Sequence, residues 1–308
     1  MNLTRWRDTG LRFEFKGHSI FYQQHSGPAP GQAAGPVSGA AADTGERPAL
    51  LLIHGYPTSS WDWSGLWAPL QARFGRLIAA DMLGFGFSDK PPRHAYSLME
   101  QADLQEALLD HLGVRKVHVL AHDYGVSVAQ ELLARSAEGR GPRLLSVTLL
   151  NGGLFPETHR ATVSQRLLRS PLGGLMARLM NQRRFERAFC EVFAPQTRPS
   201  TIELHDFWTL VSGDGGARAL RRLIRYIDER RRHRERWVGA LTATSVPIRL
   251  INGPVDPVSG AHMVARYREL VPNPDVVSLD GIGHYPQLEA PDRTLRAFFE
   301  FHDELDER

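Results

Sequence analysis

The chain has 308 residues, 42% hydrophobic and 23% charged, with a net charge of +3, which suits one large α/β domain with an insertion or two medium domains. A single cysteine, Cys190, excludes an internal disulfide framework and a multi-cysteine metal site. No apolar run approaches the roughly 20 residues of a membrane span, and the opening "MNLTRWRDTG" lacks the apolar core of a secretory signal, so a soluble, cytoplasmic protein is expected.

In chain order, "LRFEFKGHSIFYQQHSG" alternates apolar and polar residues around Lys16-Gly17 and predicts a β-hairpin. A Gly-, Ala- and Pro-rich stretch follows, and a flexible loop without chemistry is expected at about 27–47. "ALLLIHG" is a continuous apolar run, as a parallel strand buried on both faces requires. "GRLIAAD", "KVHVLAH", "LLSVTLL" and "VPIRLIN" repeat that character, and "DVVSLDG" is a shorter last strand. Helical periodicity lies between them in "YSLMEQADLQEALLDHLG" and "VSVAQELLARSAEG", and finally in "RTLRAFFEFHDEL". Strand alternating with helix implies a mostly parallel sheet flanked by helices. The alternation stops over 152–240, where only helical and loop patterns occur. An all-helical cap inserted into an α/β core is therefore expected, with core segments at 1–151 and 241–308. The cap would cover the carboxyl edge of the sheet, where open α/β sheets bind ligands.

Charge is unevenly spread. Residues 156–240 hold 17 Arg against 9 Asp and Glu, a net +8, leaving about −5 elsewhere. Arginine-rich helices are ordinarily solvated faces, and no nucleic-acid motif accompanies them. Peripheral contact with an anionic membrane through this basic surface is the alternative.

Four features fall at the ends of buried strands. Asp123 stands in Ala121-His122-Asp123-Tyr124-Gly125, a small-x-acid-x-Gly pattern that fits a tight, strained elbow between strand and helix. In "HGYP", His54 and Gly55 lead to Tyr56, whose backbone N–H can join that of Tyr124 in an oxyanion hole. Asp256 lies in "INGPVDPV" and His284 in "GIGHYPQLEAP". Taken singly, Asp123 reads as a helix N-cap, Asp256-Pro257 as a turn and His284 as a loop residue. Together, the order nucleophile, acid, histidine is that of α/β-hydrolases. A carboxylate attacking an sp³ carbon forms an alkyl ester, which water activated by His284 can hydrolyse while Asp256 fixes the imidazole tautomer. The same carboxylate attacking an ester would give a poor mixed anhydride, so Asp123 argues for epoxide opening or halide displacement. His54 and His122 read as structural hydrogen-bonding residues and Asp81 as a turn former. No H-x-x-x-H pairing accompanies a carboxylate helix, so neither metal nor cofactor is expected.

The motifs "HGYPTSSWDW", "DMLGFGFSDKP", "AHDYG", "GPVDPV" and "GIGHYPQLEAP" resemble the epoxide hydrolase and haloalkane dehalogenase branch of the α/β-hydrolase superfamily. Within it, "HDYGVSVAQELL", "LNGGLFPETHR", "YIDERRRHRERWVGAL" and "HYPQLE" are similar to the mesoderm-specific transcript group and its bacterial relatives. The resemblance implies Asp123 as nucleophile, His284 as base and Asp256 as its partner, acting with water on a small apolar epoxide or halogenated substrate. It also implies two cap tyrosines for an epoxide hydrolase, yet residues 152–240 contain one, Tyr226. Tyr226 is therefore the candidate proton donor, alone or with His159, His205 or Trp208. Haloalkane dehalogenases of this kind hold halide with Trp, or Trp and Asn, where this chain has Tyr124 and Tyr56. Fluoroacetate-type enzymes carry arginines after the nucleophile, which this chain lacks. An epoxide hydrolase is the favoured expectation, a haloalkane dehalogenase or a non-catalytic lipid- or protein-binding member of the fold the alternative.

Overall fold

The computed structural model describes residues 1–27 and 48–307; apart from Gly27, the loop expected at about 27–47 lies outside the described residues. After α1 (Leu3–Thr9), strands β1 (Leu11–Phe15) and β2 (His18–Ser26) form the expected antiparallel hairpin. Lys16 and Gly17 both take positive φ, 50° and 78°, the turn chirality that matches the twist of paired strands.

The apolar runs become β3 (Ala49–Ile53), β4 (Arg76–Ala80), β5 (Lys116–His122), β6 (Arg143–Leu150), β7 (Ile248–Asn252) and β8 (Asp275–Ser278). They make one eight-stranded sheet of order β1-β2-β4-β3-β5-β6-β7-β8. Only the β1–β2 and β2–β4 pairings are antiparallel. Every residue of β3 and β4 is buried, because helices cover both faces and leave no solvent-facing position for alternation. The crossing helices are α2 (Trp67–Arg73), α3 (Leu98–His111) and α4 (Tyr124–Ala137).

Between β6 and β7 the described elements are seven α-helices and two short 3₁₀ turns: α5 (Val163–Arg169), α6 (Gly173–Arg178), α7 (Gln182–Cys190), α8 (Thr201–Ser212), α9 (Gly216–Leu223), α10 (Tyr226–Arg232) and α11 (Arg234–Ala243). Helices α12 (Ala261–Leu270), α13 (Pro286–Glu289) and α14 (Pro291–Asp306) complete the chain. The buried Asp81 carboxylate accepts from Ser60 N at 2.8 Å and Phe87 N at 2.7 Å, joining two loops at the sheet edge. No described helix is long and apolar enough to cross a membrane.

The inserted helices are tied to the sheet layer by a buried carboxylate. Glu131 of α4 accepts from Arg135 Nε at 2.8 Å, Arg236 Nε at 2.7 Å and Trp237 Nε1 at 2.8 Å. Arg236 and Trp237 belong to α11, so one side chain anchors the last inserted helix. Glu131→Ala leaves the buried Trp237 indole N–H without an acceptor, while Arg135 keeps Asp103 and Glu106 and Arg236 keeps Glu138, and about 1–3 kcal/mol of stability should be lost. The urea unfolding midpoint measures this.

Candidate active site

β5 delivers its last residues to the carboxyl edge of the sheet, and the chain turns at Asp123 directly into α4. Asp123 has φ 43° and ψ −101°, a costly conformation for a residue with a Cβ and the mark of an elbow. Gly125 makes the turn possible, since a Cβ there would lie 2.4 Å from the Ile53 carbonyl oxygen. Gly55 does the same from the other side, where a Cβ would meet His122 Nδ1 at 2.6 Å. The elbow is pinned by Asp123 N donating to Asn151 O at 2.9 Å.

The Asp123 carboxylate is buried and has three kinds of neighbour. Tyr56 N donates to Oδ2 at 3.1 Å. His284 Nε2 is 3.9 Å from Oδ1, and Arg230 Nη2 is 3.6 Å from it. Burial alone would raise this carboxyl's pKa, but the hydrogen bond and charge of His284, and then the charge of Arg230, hold it well below the usual range. Tyr124 N makes no hydrogen bond to the carboxylate among the described residues, and the Tyr124 side chain packs against Phe85 and Tyr226 at 5.4 and 5.2 Å between ring centroids.

His284 donates from Nδ1 to Asp256 Oδ2 at 2.7 Å. Asp256 in turn accepts from Val258 N and Ser259 Oγ, each at 2.7 Å, and from Asn151 Nδ2 at 2.9 Å. Burial would lower the His284 pKa; Asp256 and Asp123 outweigh it and push it up to about 10. The imidazole is therefore a cation in the resting site at neutral pH.

The flanking histidines are structural. His54 donates from Nδ1 to Gly55 O at 2.8 Å and accepts Met82 N at 3.0 Å. His122 donates from Nε2 to His284 O at 2.8 Å. Burial pushes them down to about 4 and about 3, so both are neutral.

A cavity of about 80 Å³ opens on this group. Asp123, His284 and Tyr56 form its polar end, and Leu168, Phe185, Phe189 and Val192 much of its apolar wall. Tyr226 is 1% exposed, with its ring centroid 5.7 Å from that of Tyr56. Both the Tyr56 and Tyr226 hydroxyls are buried without a partner.

With this geometry in view, the matches to known proteins are specific. The model of the alpha/beta hydrolase fold family matches residues 48–291. The chain belongs to this family. It is 44% identical over 307 residues to the mesoderm-specific transcript protein of Mus musculus, covering 97% of this chain and 87% of that one. It is 43% identical over 248 residues to the putative hydrolase LipZ of Mycobacterium tuberculosis, covering 80% and 85%. The haloalkane dehalogenase DbeA from Bradyrhizobium elkani shares the fold, with a TM-score of 0.77 at 23% identity over 96% of this chain and 98% of that one.

In this α/β-hydrolase the sequence motifs converge as their order suggests, and Asp123, Tyr56, Asp256 and His284 form one group. Of the additional donors considered, His205 is exposed and Trp208 packs on Phe185 at 5.7 Å. His159 lies within reach of the Asp123 and His284 charges and has both ring nitrogens buried without a partner. Burial and Arg230 push it down to about 4.

Two residues escaped the sequence reading. Asn151 bridges the elbow, Asp256 and the Gly253 loop, donating to Gly253 O at 3.0 Å and accepting from Gly253 N at 2.6 Å; its position at the end of the "LLSVTLL" strand was the available signal. Arg230, 2% exposed, donates from Nη2 to Asp123 O at 2.9 Å and from Nε to Ser127 Oγ at 2.7 Å, leaving Nη1 without a partner. It was hidden in a run of arginines.

The elevated His284 pKa has a definite sign. The folded value exceeds the unfolded 6.5, so its stabilising contribution is complete below pH 6.5 and disappears as pH rises through about 10. NMR titration of the His284 ring should give a midpoint near 10 in the native protein, moving several units down in Asp256→Asn.

Proposed function

We propose that this α/β-hydrolase opens epoxides through a covalent ester on Asp123. The observation that carries the reading is a pair of buried phenols whose hydroxyls have no hydrogen-bond partner: Tyr56, which lines the cavity with Asp123, and Tyr226, which packs against Tyr56 beneath the Arg230 guanidinium, both within reach of the Asp123 charge. Burial, and then the Asp123 charge, push both phenols far above their ordinary range. Each is therefore a neutral O–H donor at any pH the protein meets. Tyr56 supplies from the core the second hydroxyl that the inserted helices lack.

In the first step Asp123 Oδ1 attacks an epoxide carbon, the C–O bond breaks toward the ring oxygen, and a phenol proton reaches that oxygen. Arg230 orients the nucleophile and offsets the charge of the resulting phenolate. Formation of the ester removes the negative charge facing His284. The imidazolium then loses one of the two carboxylates that raise its pKa, so it passes its proton to the phenolate and becomes a base. In the second step His284 takes a proton from water, and the hydroxide attacks Asp123 Cγ. The oxyanion forms at Oδ2, where the Tyr56 N–H already points. Collapse passes the proton of the attacking oxygen to the leaving alkoxide, releases the diol and regenerates the carboxylate, with His284 again an imidazolium.

The cavity is apolar and small, which favours compact apolar epoxides. Halide displacement is supported less, because the Tyr124 ring, directly after Asp123, is packed between Phe85 and Tyr226.

A panel of small epoxides and haloalkanes, scored by diol and halide release, tests the reading. Diol formation is expected, and halide release without diol would replace it by a dehalogenase. Binding without turnover of either class would point to a non-catalytic member of the fold. Single turnover in ¹⁸O-labelled water should place label in an Asp123 carboxylate oxygen, and Asp123→Asn should be inactive in its first turnover. Tyr226→Phe and Tyr56→Phe should each lower kcat by about 10²-fold, with the ester still formed slowly.

A further inference from the structure

The inserted helices present a surface that the proposed chemistry does not use. Leu172, Leu175 and Leu179 are 61%, 56% and 48% exposed. Spaced three and four residues apart across α6, they share one helix face. Gly173 and Ala177, on the opposite side, are buried. Val163 at the start of α5 adds a further apolar side chain, 69% exposed. Scattered exposed leucines need no explanation, but a stripe of them on one short helix does.

The charge carried by this stretch of chain has a single sign. Residues 160–184 contain six arginines and no Asp or Glu. One of the six, Arg169, is paired with Asp228, whereas Arg178 and Arg183 are exposed and without a salt bridge among the described residues. The stripe also adjoins the cavity: α5 contributes Leu168 to its wall, and Met180, next to Leu179, lines it as well.

We infer that α5 and α6 dock this protein on an anionic lipid bilayer, with the three leucines entering the headgroup boundary and the arginines meeting lipid phosphates. The charge complementarity decides the occupant. A second copy of the chain would bring like-charged faces together, which electrostatics disfavours. A nucleic acid would satisfy the arginines and leave the leucines in water. A bilayer satisfies both at once, because apolar burial and attraction to anionic headgroups act together at its interface. Docked in this way, the cavity mouth faces the phase in which apolar substrates concentrate.

Vesicle flotation tests the inference without any turnover assay, so its outcome is independent of the proposed reaction. The full chain should float with phosphatidylcholine vesicles containing about one third phosphatidylserine, and not with phosphatidylcholine alone; high salt should weaken the binding, since exposed charges are screened beyond about 10 Å at moderate ionic strength. Leu172→Ser/Leu175→Ser/Leu179→Ser should bind at least about tenfold more weakly at an unchanged thermal midpoint. Arg178→Gln/Arg183→Gln, which leaves the apolar stripe intact, should lose the preference for anionic lipid. Equal binding to both vesicle types, undiminished binding of the serine variant, or a concentration-dependent dimer that ignores vesicles would overturn it.

Discussion

An ionised carboxylate enclosed at the tip of a strained turn is the constraint on which the rest of this structure depends. The Asp123 backbone conformation carries strain on the order of 1–3 kcal/mol, and stripping a carboxylate of water costs several more. Both are tolerated because the surrounding contacts over-determine the position of Asp123. The β5–α4 junction is closed by glycine where a Cβ would strike a carbonyl, and Asn151 O holds the Asp123 amide. The Tyr56 N–H, the Arg230 guanidinium and the His284 imidazolium replace the lost water.

Because those groups come from distant parts of the chain, the elbow acts as a junction. Asn151 serves it twice, binding Asp123 N through its backbone and Asp256 through its side chain. This makes the end of β6 common to both carboxylates, and a shift in one is felt by the other. Arg230 reaches the elbow from α10 and Glu131 reaches α11 from α4, so the inserted helices are fastened to the same helix that begins at Asp123. Rigidity of this kind lets a buried charge keep one geometry in a site with little water to rearrange.

The electrostatics also separate the two halves of the proposed reaction. While Asp123 is charged, the imidazole opposite is a cation and cannot act as a base; once the carboxylate is esterified, the balance changes. In the proposed reaction the site would thereby withhold its base until the ester had formed. Neutral His54 and His122 lie alongside without competing, because burial keeps them unprotonated. Tyr124, next to Asp123, packs its ring between Phe85 and Tyr226.

By itself the sequence determined the sheet, the site's framework and the break in alternation. Buried parallel strands need uninterrupted apolar runs, and tight turns need glycine, and both are local demands written in consecutive residues such as "ALLLIHG" and "AHDYG". The same locality made Asp123, Asp256 and His284 legible, since each follows a recognisable strand, and their order along the chain matched that of the α/β-hydrolases. Tertiary structure alone decided which of 17 arginines in the inserted segment reaches Asp123, and it set the Tyr56 ring of the core against Tyr226. It also turned His205 outward and brought His159 inward, and it aligned three leucines on an exposed face. These outcomes depend on how helices pack across one another, and a helix sequence specifies a buried stripe without naming the partner it will meet. Arg230 and its neighbours Arg231 and Arg232 are chemically identical in the sequence, and only the crossing of α10 over α4 separates the one that is buried.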